Sequence, residues 1–268
     1  MIVNEKVEIL GVEIDNVNLI SSLEIVSEFL KLYKPSHVVT VNPEFLVEAN
    51  HNIKFKRVLN KADLKLPDGF GLVIASNLFK TPLKARVTGI DFVYHLLSLS
   101  DKNGYKIFFL GGAEGVAEKA TYKIREMYPN LKVFFSEGST NVRKESEEEK
   151  EKTVNEINKS GAEILLVAYG SPWQDLWISE NAKYLKSVRV AVGVGGSLDF
   201  ISGKVRRAPL IFQKLGLEWL FRLIIEPRRI KRIFRAVVVF PIMVILNAVK
   251  DPAKPRLEWR SENEKATG

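Results

Sequence analysis

Four short loops of this sequence place polar or glycine residues directly after an apolar run. The ligands of an open parallel sheet bind at the carboxyl ends of its strands, so residues in such loops are placed to do chemistry. We therefore expect the four loops to converge on one crevice. They are Thr40–Pro43, Pro67–Gly69, Gly111–Glu114 and Gly193–Gly196.

Asp68 is the candidate general base of these loops. It lies between Pro67 and Gly69, where a carboxylate exposed at a strand end could take a proton from a substrate. The same residue type in the same place also fits an aspartate that only forms the turn. Thr40 is likewise open to two interpretations, because its β-branched side chain suits a strand whether or not it binds a ligand.

Two glycine loops are candidates for holding a phosphate. Gly111-Gly112 and Gly195-Gly196 each precede a predicted helix, whose backbone N–H groups and dipole favour an anion. Neither loop has the full dinucleotide-binding pattern. A tight turn between strand and helix explains the glycines equally well.

The sequence predicts neither a metal site nor a cofactor. It has no cysteine, which excludes disulfides and thiolate ligands and fits a cytosolic protein. His37, His51 and His95 lack the spacing of a metal site, and no Asp-x-Asp pair occurs.

Positive charge is concentrated in residues 203–235. This segment has ten Lys and Arg against two Glu, whereas residues 1–202 have 25 basic and 26 acidic residues. Such a local excess favours an anionic partner: a phosphate, a nucleic acid or an acidic membrane surface. Nucleic acid is not expected as a partner, because the segment lacks interleaved exposed aromatics and a known binding signature.

The basic segment is predicted to be helical. Pro209 opens a predicted helix that runs to Glu226, and Pro227 then kinks it or starts another. Beyond Pro227 the apolar residues recur at helical spacing with arginines and lysine largely on the other side, which indicates a helix on an anionic membrane surface. A helix packed on the domain with a solvated basic face is the alternative. The apolar positions are Ile230, Ile233, Phe234, Val237, Val238 and Pro241.

Neither end of the sequence predicts a membrane-spanning segment. The run Ala236–Leu246 has eleven residues and contains Pro241, whereas a spanning helix needs roughly 20 apolar residues. The first ten residues lack the basic and apolar regions of a signal peptide.

Short apolar runs alternate with helical patterns along most of the chain. This predicts an α/β fold with a Rossmann-like parallel sheet and helices on both faces, followed by a C-terminal helical appendage that is basic and apolar. We expect a core over residues 1–202, the appendage over 203–250 and a flexible tail over 251–268.

Seven motifs resemble those of the WecG/TagA/CpsF family, glycosyltransferase family 26, and most closely its TagA type. The resemblance covers roughly residues 7–235, and the motifs are highly specific together. They are TVNPEFL at 40–46, LPDGFGLV at 66–73, RVTGID at 86–91, FLGGAEGVAEKA at 109–120, GSPWQDLWISEN at 170–181, GVGGSLDFISGKVRRAP at 193–209 and LGLEWLFRLIIEPRRIKR at 215–232.

The resemblance implies an inverting, metal-independent glycosyltransferase. Its TagA-type members move N-acetylmannosamine from UDP to the 4-hydroxyl of N-acetylglucosamine on undecaprenyl diphosphate, which makes the linkage disaccharide of wall teichoic acid. It also implies a cytoplasmic protein that is peripheral on the inner face of the cell membrane and self-associates as a homo-oligomer. Two alternatives stay open: a family member with another UDP-sugar donor, N-acetylmannosaminuronic acid or glucose, and a non-enzymatic nucleotide-binding module on the membrane.

The resemblance also implies roles for particular residues. Asp68 is expected to be the base, and the other catalytic residues are expected to be Thr40, Arg222, Arg229 and Arg232. The substrate-binding positions are expected to be Asn42, Arg86, Gly111, Gly112, Gln174, Gly195, Gly196 and Asp199. The chain departs from the family motif GxPKQE, because Trp173 replaces a lysine and Asp175 a glutamate.

The three C-terminal arginines are spaced seven and three residues apart. On one continuous helix these positions share a face. Arginine forks suit the phosphate oxygens of a departing UDP, so we expect the three guanidinium groups to stabilise its charge.

Overall fold

The computed structural model describes residues 5–78 and 82–250. The predicted tail over 251–268 lies outside the described residues. Near the N-terminus, strands β1 (Lys6–Ile9) and β2 (Val12–Asp15) form an antiparallel hairpin. Gly11 has a φ of +74° in its turn, as expected for a hairpin with glycine at the tip.

The second sheet has six strands, all parallel, in the order β4-β3-β8-β7-β5-β6. Short runs of β-branched and other apolar residues, buried on both faces, form these strands, as is typical of a parallel sheet. The α/β fold class is therefore confirmed. The strands are β3 (Ser36–Val41), β4 (Leu64–Pro67), β5 (Ile107–Gly111), β6 (Val133–Ser136), β7 (Ile164–Ala168) and β8 (Val190–Gly193).

Helices cover both faces of the six-stranded sheet. One face packs against α1 (Leu19–Phe29), α5 (Gly89–Asn103), α6 (Val116–Met127) and α9 (Ser197–Ile201). The other face packs against α2 (Pro43–His51), α3 (Ile53–Lys61), α4 (Phe70–Ser76), α7 (Glu147–Ser160) and α8 (Trp173–Asn181). The charged run RKESEEEKEK lies largely in the exposed first turns of α7 and the short turn before it.

The appendage differs from the predicted single helix between Pro209 and Glu226. It contains two helices, α10 (Leu210–Lys214) and α11 (Glu218–Ile225). The break is at Gly216, whose φ is +71° and whose backbone lies against the ring of Phe70. A Cβ there would stand 2.7 Å from the ring, so glycine ends α10.

The last helical segment, which we call the C-terminal helix, spans Pro227–Val249 and is 23 residues long. It includes α12 (Ile230–Phe234), a π-helical segment (Arg235–Val239) and α13 (Phe240–Lys250). This helix is longer than the eleven-residue apolar run Ala236–Leu246 on which the expectation of no spanning segment was based. Pro241 lies within it. The wider π turn, in which the Phe240 N–H bonds Arg235 O, offsets the missing donor and the clash of the proline ring. The helix is long and apolar enough to cross a membrane, by length and composition alone.

The C-terminal helix packs on the core. Phe240 and Val244 are buried in the cluster formed by α2, α4 and the first hairpin. Arg232 Nε lies 2.8 Å from Glu44 Oε1, and Arg235 Nη1 lies 3.6 Å from Glu48 Oε2, so two ion pairs join the helix to α2.

Candidate active site

A cavity of about 230 Å³ opens at the carboxyl ends of β3, β4 and β8. Three of the four predicted loops meet there, and the appendage forms the opposite wall. The predicted site residues that line it are Thr40, Asn42, Asp68, Gln174, Gly195, Gly196, Arg222, Arg229 and Arg232.

Asp68 is fixed at the end of β4 by the turn that follows. Its backbone N–H donates to Val41 O at 2.7 Å, and Gly69 turns the chain with a φ of +121°. The Gly89 N–H, at the start of α5, donates to Asp68 Oδ2 at 3.1 Å. A β-strand, a glycine turn and a helix N-terminus together aim the carboxylate into the cavity.

The protein around Asp68 raises its pKa to about 6, chiefly because burial disfavours the carboxylate. The Gly89 N–H and the charge of Arg86 lower the pKa, whereas the carboxylates of Glu218 and Asp91 raise it. A base with a pKa near 6 is ionised at neutral pH and still holds a proton well enough to accept one during a reaction.

Thr40 and Asn42 line the cavity beside Asp68 while also holding the fold. The Thr40 hydroxyl donates to Gly193 O at 3.2 Å, which ties β3 to the end of β8. Asn42 Oδ1 accepts from the Phe45 N–H at 3.1 Å and so caps α2. The Asn42 amide NH₂ is left as the group that could donate to a ligand.

Arg222 has buried donors in the cavity that form no hydrogen bond within the protein. Its guanidinium stacks 4.5 Å from the ring centroid of Phe200, and its side chain is 23% exposed. Neither Nε nor Nη2 has a hydrogen-bond partner, although Nη2 lies 3.3 Å from Glu226 Oε2. Burial, and after it the charge of Arg229, lowers the pKa of Arg222. An anion in the cavity would satisfy these buried donors.

Arg229 and Arg232 reach the same cavity from beyond a break in the helix. Glu226 has φ −131° and ψ 70°, so α11 ends there and a new helical turn starts at Pro227, one of the two outcomes expected at this proline. The three arginines therefore do not lie on one continuous helix. The three guanidinium groups still converge, because the chain turns at Pro227. Arg229 Nε lies 2.9 Å from Glu226 Oε2, and Arg232 Nε donates to both oxygens of Glu44.

Gln174 lies in the first turn of α8, under the loop Gly193–Gly196. Its Oε1 accepts from the Gly195 N–H at 2.9 Å, and its Nε2 is buried without a partner. Gly196 lies beside Arg222, since a Cβ there would stand 3.4 Å from Arg222 Nη2, which is an ordinary contact distance. The same position would be 3.4 Å from Asp199 Oδ2, which places the Asp199 carboxylate beside the cationic cluster.

Arg86 and Asp199 adjoin the cavity without being among its lining residues. Arg86 Nη2 donates to Glu218 Oε2 at 2.6 Å, and Glu218 itself lines the cavity. Burial raises the pKa of Asp199, while Lys204 and the two nearby arginines lower it.

Gly111 and Gly112 do not line this cavity. A Cβ at Gly111 would stand 2.7 Å from the Tyr169 ring, and one at Gly112 would stand 3.1 Å from Val116. Both also have positive φ, so a tight turn and close packing account for them. Their role in binding a substrate stays a prediction without support from this cavity.

Two site residues, Glu218 and Phe200, were not singled out from the sequence. Glu218 is one of only two acidic residues among the ten cations of the basic segment, and that contrast was the available signal. Phe200 follows Asp199 in the motif at 193–209, but the sequence does not indicate that a phenylalanine there would stack on Arg222. Trp173 replaces the lysine of the family motif. The guanidinium of Arg143 lies over its ring, 5.1 Å from the ring centroid.

No group of three or more acidic or histidine side chains within residues 5–78 and 82–250 is arranged to hold a metal ion. The groups that line the cavity are instead a carboxylate of raised pKa and three arginines. Such a set can take a proton from a nucleophile on one side and stabilise growing negative charge on the other. This arrangement suits the transfer of a group away from a phosphate leaving group.

Comparison with known proteins agrees with this chemistry. The model of the "Glycosyl transferase WecG/TagA/CpsF family" matches residues 7–254. The N-acetylglucosaminyldiphosphoundecaprenol N-acetyl-beta-D-mannosaminyltransferases of Staphylococcus aureus strains MRSA252 and NCTC 8325 are each 34% identical over 230 residues, which are 85% of this chain and 88% of theirs. The chain therefore belongs to the WecG/TagA/CpsF family of glycosyltransferases.

Proposed function

We propose that this protein transfers N-acetylmannosamine from UDP-N-acetylmannosamine to the 4-hydroxyl of N-acetylglucosaminyl-diphospho-undecaprenol, with inversion at the sugar. The names of the similar staphylococcal enzymes support this donor sugar and this lipid-linked acceptor. The product is the linkage disaccharide of wall teichoic acid.

In the proposed step the acceptor hydroxyl attacks C1 of the donor sugar. A new C1–O bond forms to the acceptor, and the C1–O bond to the β-phosphate breaks with its electron pair on UDP. Asp68 takes the proton of the hydroxyl. Arg222, Arg229 and Arg232 stabilise the negative charge that grows on the diphosphate, as guanidinium forks suit its oxygens.

One observation contributes most to this proposal. The carboxylate of Asp68, with its raised pKa, and the unpartnered Nε and Nη2 of Arg222 line one cavity. The two groups come from residues 154 positions apart. Without a ligand, the two buried donors of Arg222 lack a hydrogen bond, and a phosphate in the cavity would supply one.

The proposed location is the inner face of the cell membrane, with the protein peripheral and docked by its appendage. The C-terminal helix exposes a set of large apolar side chains next to the basic residues of the same segment. Only 11% of its most apolar stretch is buried. The exposed apolar residues of the helix are Ile230, Phe234, Val237, Val238, Ile242, Ile245, Leu246 and Val249.

The packing of this helix favours docking over spanning. Phe240 and Val244 are 1% and 3% exposed against the core. To cross the bilayer, the helix would have to withdraw both side chains, and the ion pairs of Arg232 and Arg235 with α2 would break. A helix that stays packed while its outer face enters the membrane surface keeps these contacts. The self-association that the family resemblance implies stays a prediction.

A donor panel tests the function. Purified protein is incubated with a short-chain lipid diphosphate of N-acetylglucosamine and, separately, with UDP-N-acetylmannosamine, UDP-N-acetylmannosaminuronic acid, UDP-glucose and UDP-N-acetylglucosamine. UDP release and the disaccharide product are measured. We expect rapid turnover with UDP-N-acetylmannosamine alone. Turnover with another donor would replace the proposed sugar, and binding of UDP without turnover of any donor would favour the non-enzymatic module.

A further inference from the structure

His37 and Asp175 form a buried polar pair next to the cavity that the proposed chemistry does not use. His37 Nε2 lies 3.1 Å from Asp175 Oδ1, and the two side chains are 12% and 0% exposed. The backbone of His37 is fixed in β3, because its N–H donates to Asp63 Oδ2 and its carbonyl accepts from the Asp63 N–H. The imidazole is therefore held on a central strand of the sheet.

Asp175 in turn contacts the machinery of the cavity. It follows Gln174 in the first turn of α8, and both side chains press against Gly193 at the end of β8. A Cβ on Gly193 would stand 2.5 Å from Asp175 Oδ1 and 2.6 Å from Gln174 Nε2. Gln174 Oε1 then accepts from the Gly195 N–H. Contacts thus run without a gap from His37 to the loop Gly193–Gly196.

His37 is the side chain that provides the hydrogen bond to the buried carboxylate of Asp175. Its Oδ2 has no hydrogen-bond partner, and the Asp175 side chain is fully buried. A buried carboxylate that loses its partner is costly, so it would move toward water or draw other donors to itself. The nearest groups it would disturb are Gln174 and the backbone of Gly193, both of which it already touches.

We propose that His37 is a positioning residue. Through Asp175 it holds Gln174 and the loop Gly193–Gly196 in the geometry that receives the diphosphate of a nucleoside-diphosphate sugar. This inference rests on the proposed function, since the diphosphate is the leaving group of the proposed transfer. Gln174 lines the cavity and its Oε1 holds the Gly195 N–H, so it is the residue through which His37 would act on the ligand site.

The test compares four variants of the full chain at 20 °C. His37→Leu removes the donor, and His37→Asn keeps polarity but is too short to reach Asp175. His37→Gln retains an N–H at about the position of Nε2. His51→Leu is the matched control, because His51 is exposed on α2. The measurements are the dissociation constant of UDP, kcat and KM for the donor, and hydrogen exchange of the amides of residues 193–197.

We expect His37→Leu and His37→Asn each to weaken UDP binding about tenfold, to raise the donor KM more than they lower kcat, and to speed exchange of the Gly195 amide. His37→Gln and His51→Leu should stay within about twofold of the wild type. A lower melting temperature with unchanged UDP affinity and unchanged exchange in the two disruptive variants would reduce His37 to a residue of stability alone.

The exchange measurement separates this inference from the proposed function. It is made on the ligand-free protein and needs no turnover. A wild type that fails to transfer any sugar would overturn the proposed function, while faster exchange of the Gly195 amide in the disruptive variants would still support the contact chain. Unchanged exchange in an active enzyme would overturn only the role of His37.

Discussion

Arg86 and Glu218 form an ion pair in which Nη2 donates to Oε2 at 2.6 Å, between a loop of the core and the first residue of α11. Arg207 extends the contact, since it donates to both carboxylate oxygens of Asp91 and lies 3.9 Å from Glu218. Two salt bridges thus hold the appendage over the cavity. The side chains of Arg86 and Glu218 are 18% and 24% exposed, so the pair is only weakly screened by solvent.

Glu218→Gln should move the pH dependence of the reaction to lower pH. The charge of Glu218 raises the pKa of Asp68, while that of Arg86 lowers it. Burial and Asp91 still raise the pKa of Asp68 after this change, but less opposes the charge of Arg86, so the pKa falls below about 6. The measurement is the pH profile of kcat/KM with a short-lipid acceptor.

The matched control for this change is Glu180→Gln, which removes an exposed carboxylate paired with Lys54 on the surface. Its profile should overlay that of the wild type. If the midpoint for Glu218→Gln stays in place or moves to higher pH, Glu218 does not act on Asp68 through its charge.

The wild-type profile itself reports on Asp68 as the base. A base must be deprotonated to act, and the pKa of Asp68 is about 6. We expect kcat/KM to rise about tenfold per pH unit below 6 and to level off above it. Asp68→Asn should lose at least tenfold in kcat at pH 8 and lose this acid limb. An Asp68→Asn enzyme that keeps wild-type turnover would exclude this residue as the base.

Asp68 should also cost stability at neutral pH. Its pKa is about 6 in the folded protein and about 3.9 in an unfolded chain, so the folded state holds the extra proton between these values. This contribution to stability is present below about pH 4 and is lost as the pH rises to 6. Asp68→Asn, which stays neutral, should gain about 3 kcal/mol of unfolding free energy relative to wild type at pH 8 and little at pH 4. Urea unfolding at the two pH values measures the difference, and a gain that does not depend on pH would contradict the raised pKa.

Arg222→Ala should lower kcat at least tenfold with the fold intact, because it removes two unpartnered donors and a charge from the place where the diphosphate would lie. Arg222→Lys should recover only part of the loss, since an ammonium cannot reproduce the fork or the stacking on Phe200. Arg228→Ala is the matched control, as Arg228 is exposed one residue before Arg229 and is not among the residues that line the cavity. Equal losses in Arg222→Ala and Arg228→Ala would point to a general effect of charge rather than to contact with the leaving group.

Asp68 and Thr40 could be placed at one crevice from the sequence because they lie at the ends of strands, and the ends of parallel strands meet at one edge of a sheet. Gln174 was expected only from the resemblance of its motif. The strands themselves could be predicted because short, continuous runs of β-branched and other apolar residues are typical of the strands of a buried parallel sheet. A break at Pro227 was expected from the sequence, but its angle was not, so the shared face of Arg222, Arg229 and Arg232 could be stated only for an unbroken helix. The turn at Pro227 is what brings the three side chains together.

Ion pairs between residues far apart in the chain could not be predicted from the sequence. Nothing in the spacing of Arg86 and Glu218, 132 residues apart, says that they touch. The length of the C-terminal helix was also missed, because only the apolar run Ala236–Leu246 was counted, whereas the helix begins at Pro227 and continues through the π-helical segment Arg235–Val239. A π-helical turn of this kind arises from local packing, and its amino-acid composition does not distinguish it from the surrounding α-helix.

The C-terminal helix should bind anionic membranes through its exposed side chains. Phe234 and Ile245 are 55% and 56% exposed, so Phe234→Glu combined with Ile245→Glu puts charge on the proposed contact face without disturbing Phe240. We expect the wild type to float with vesicles of phosphatidylglycerol and phosphatidylcholine and the double variant to lose most of that binding. Each cation near such a surface contributes about 1 kcal/mol, so 0.5 M salt should also weaken membrane binding of the wild type.

Ile53→Glu, on the exposed face of α3, is the control and should float like the wild type. Truncation after Ser202 should abolish flotation as well. A wild type that withstands extraction with alkaline carbonate would instead show a spanning helix, and a double variant that still floats would place the contact elsewhere.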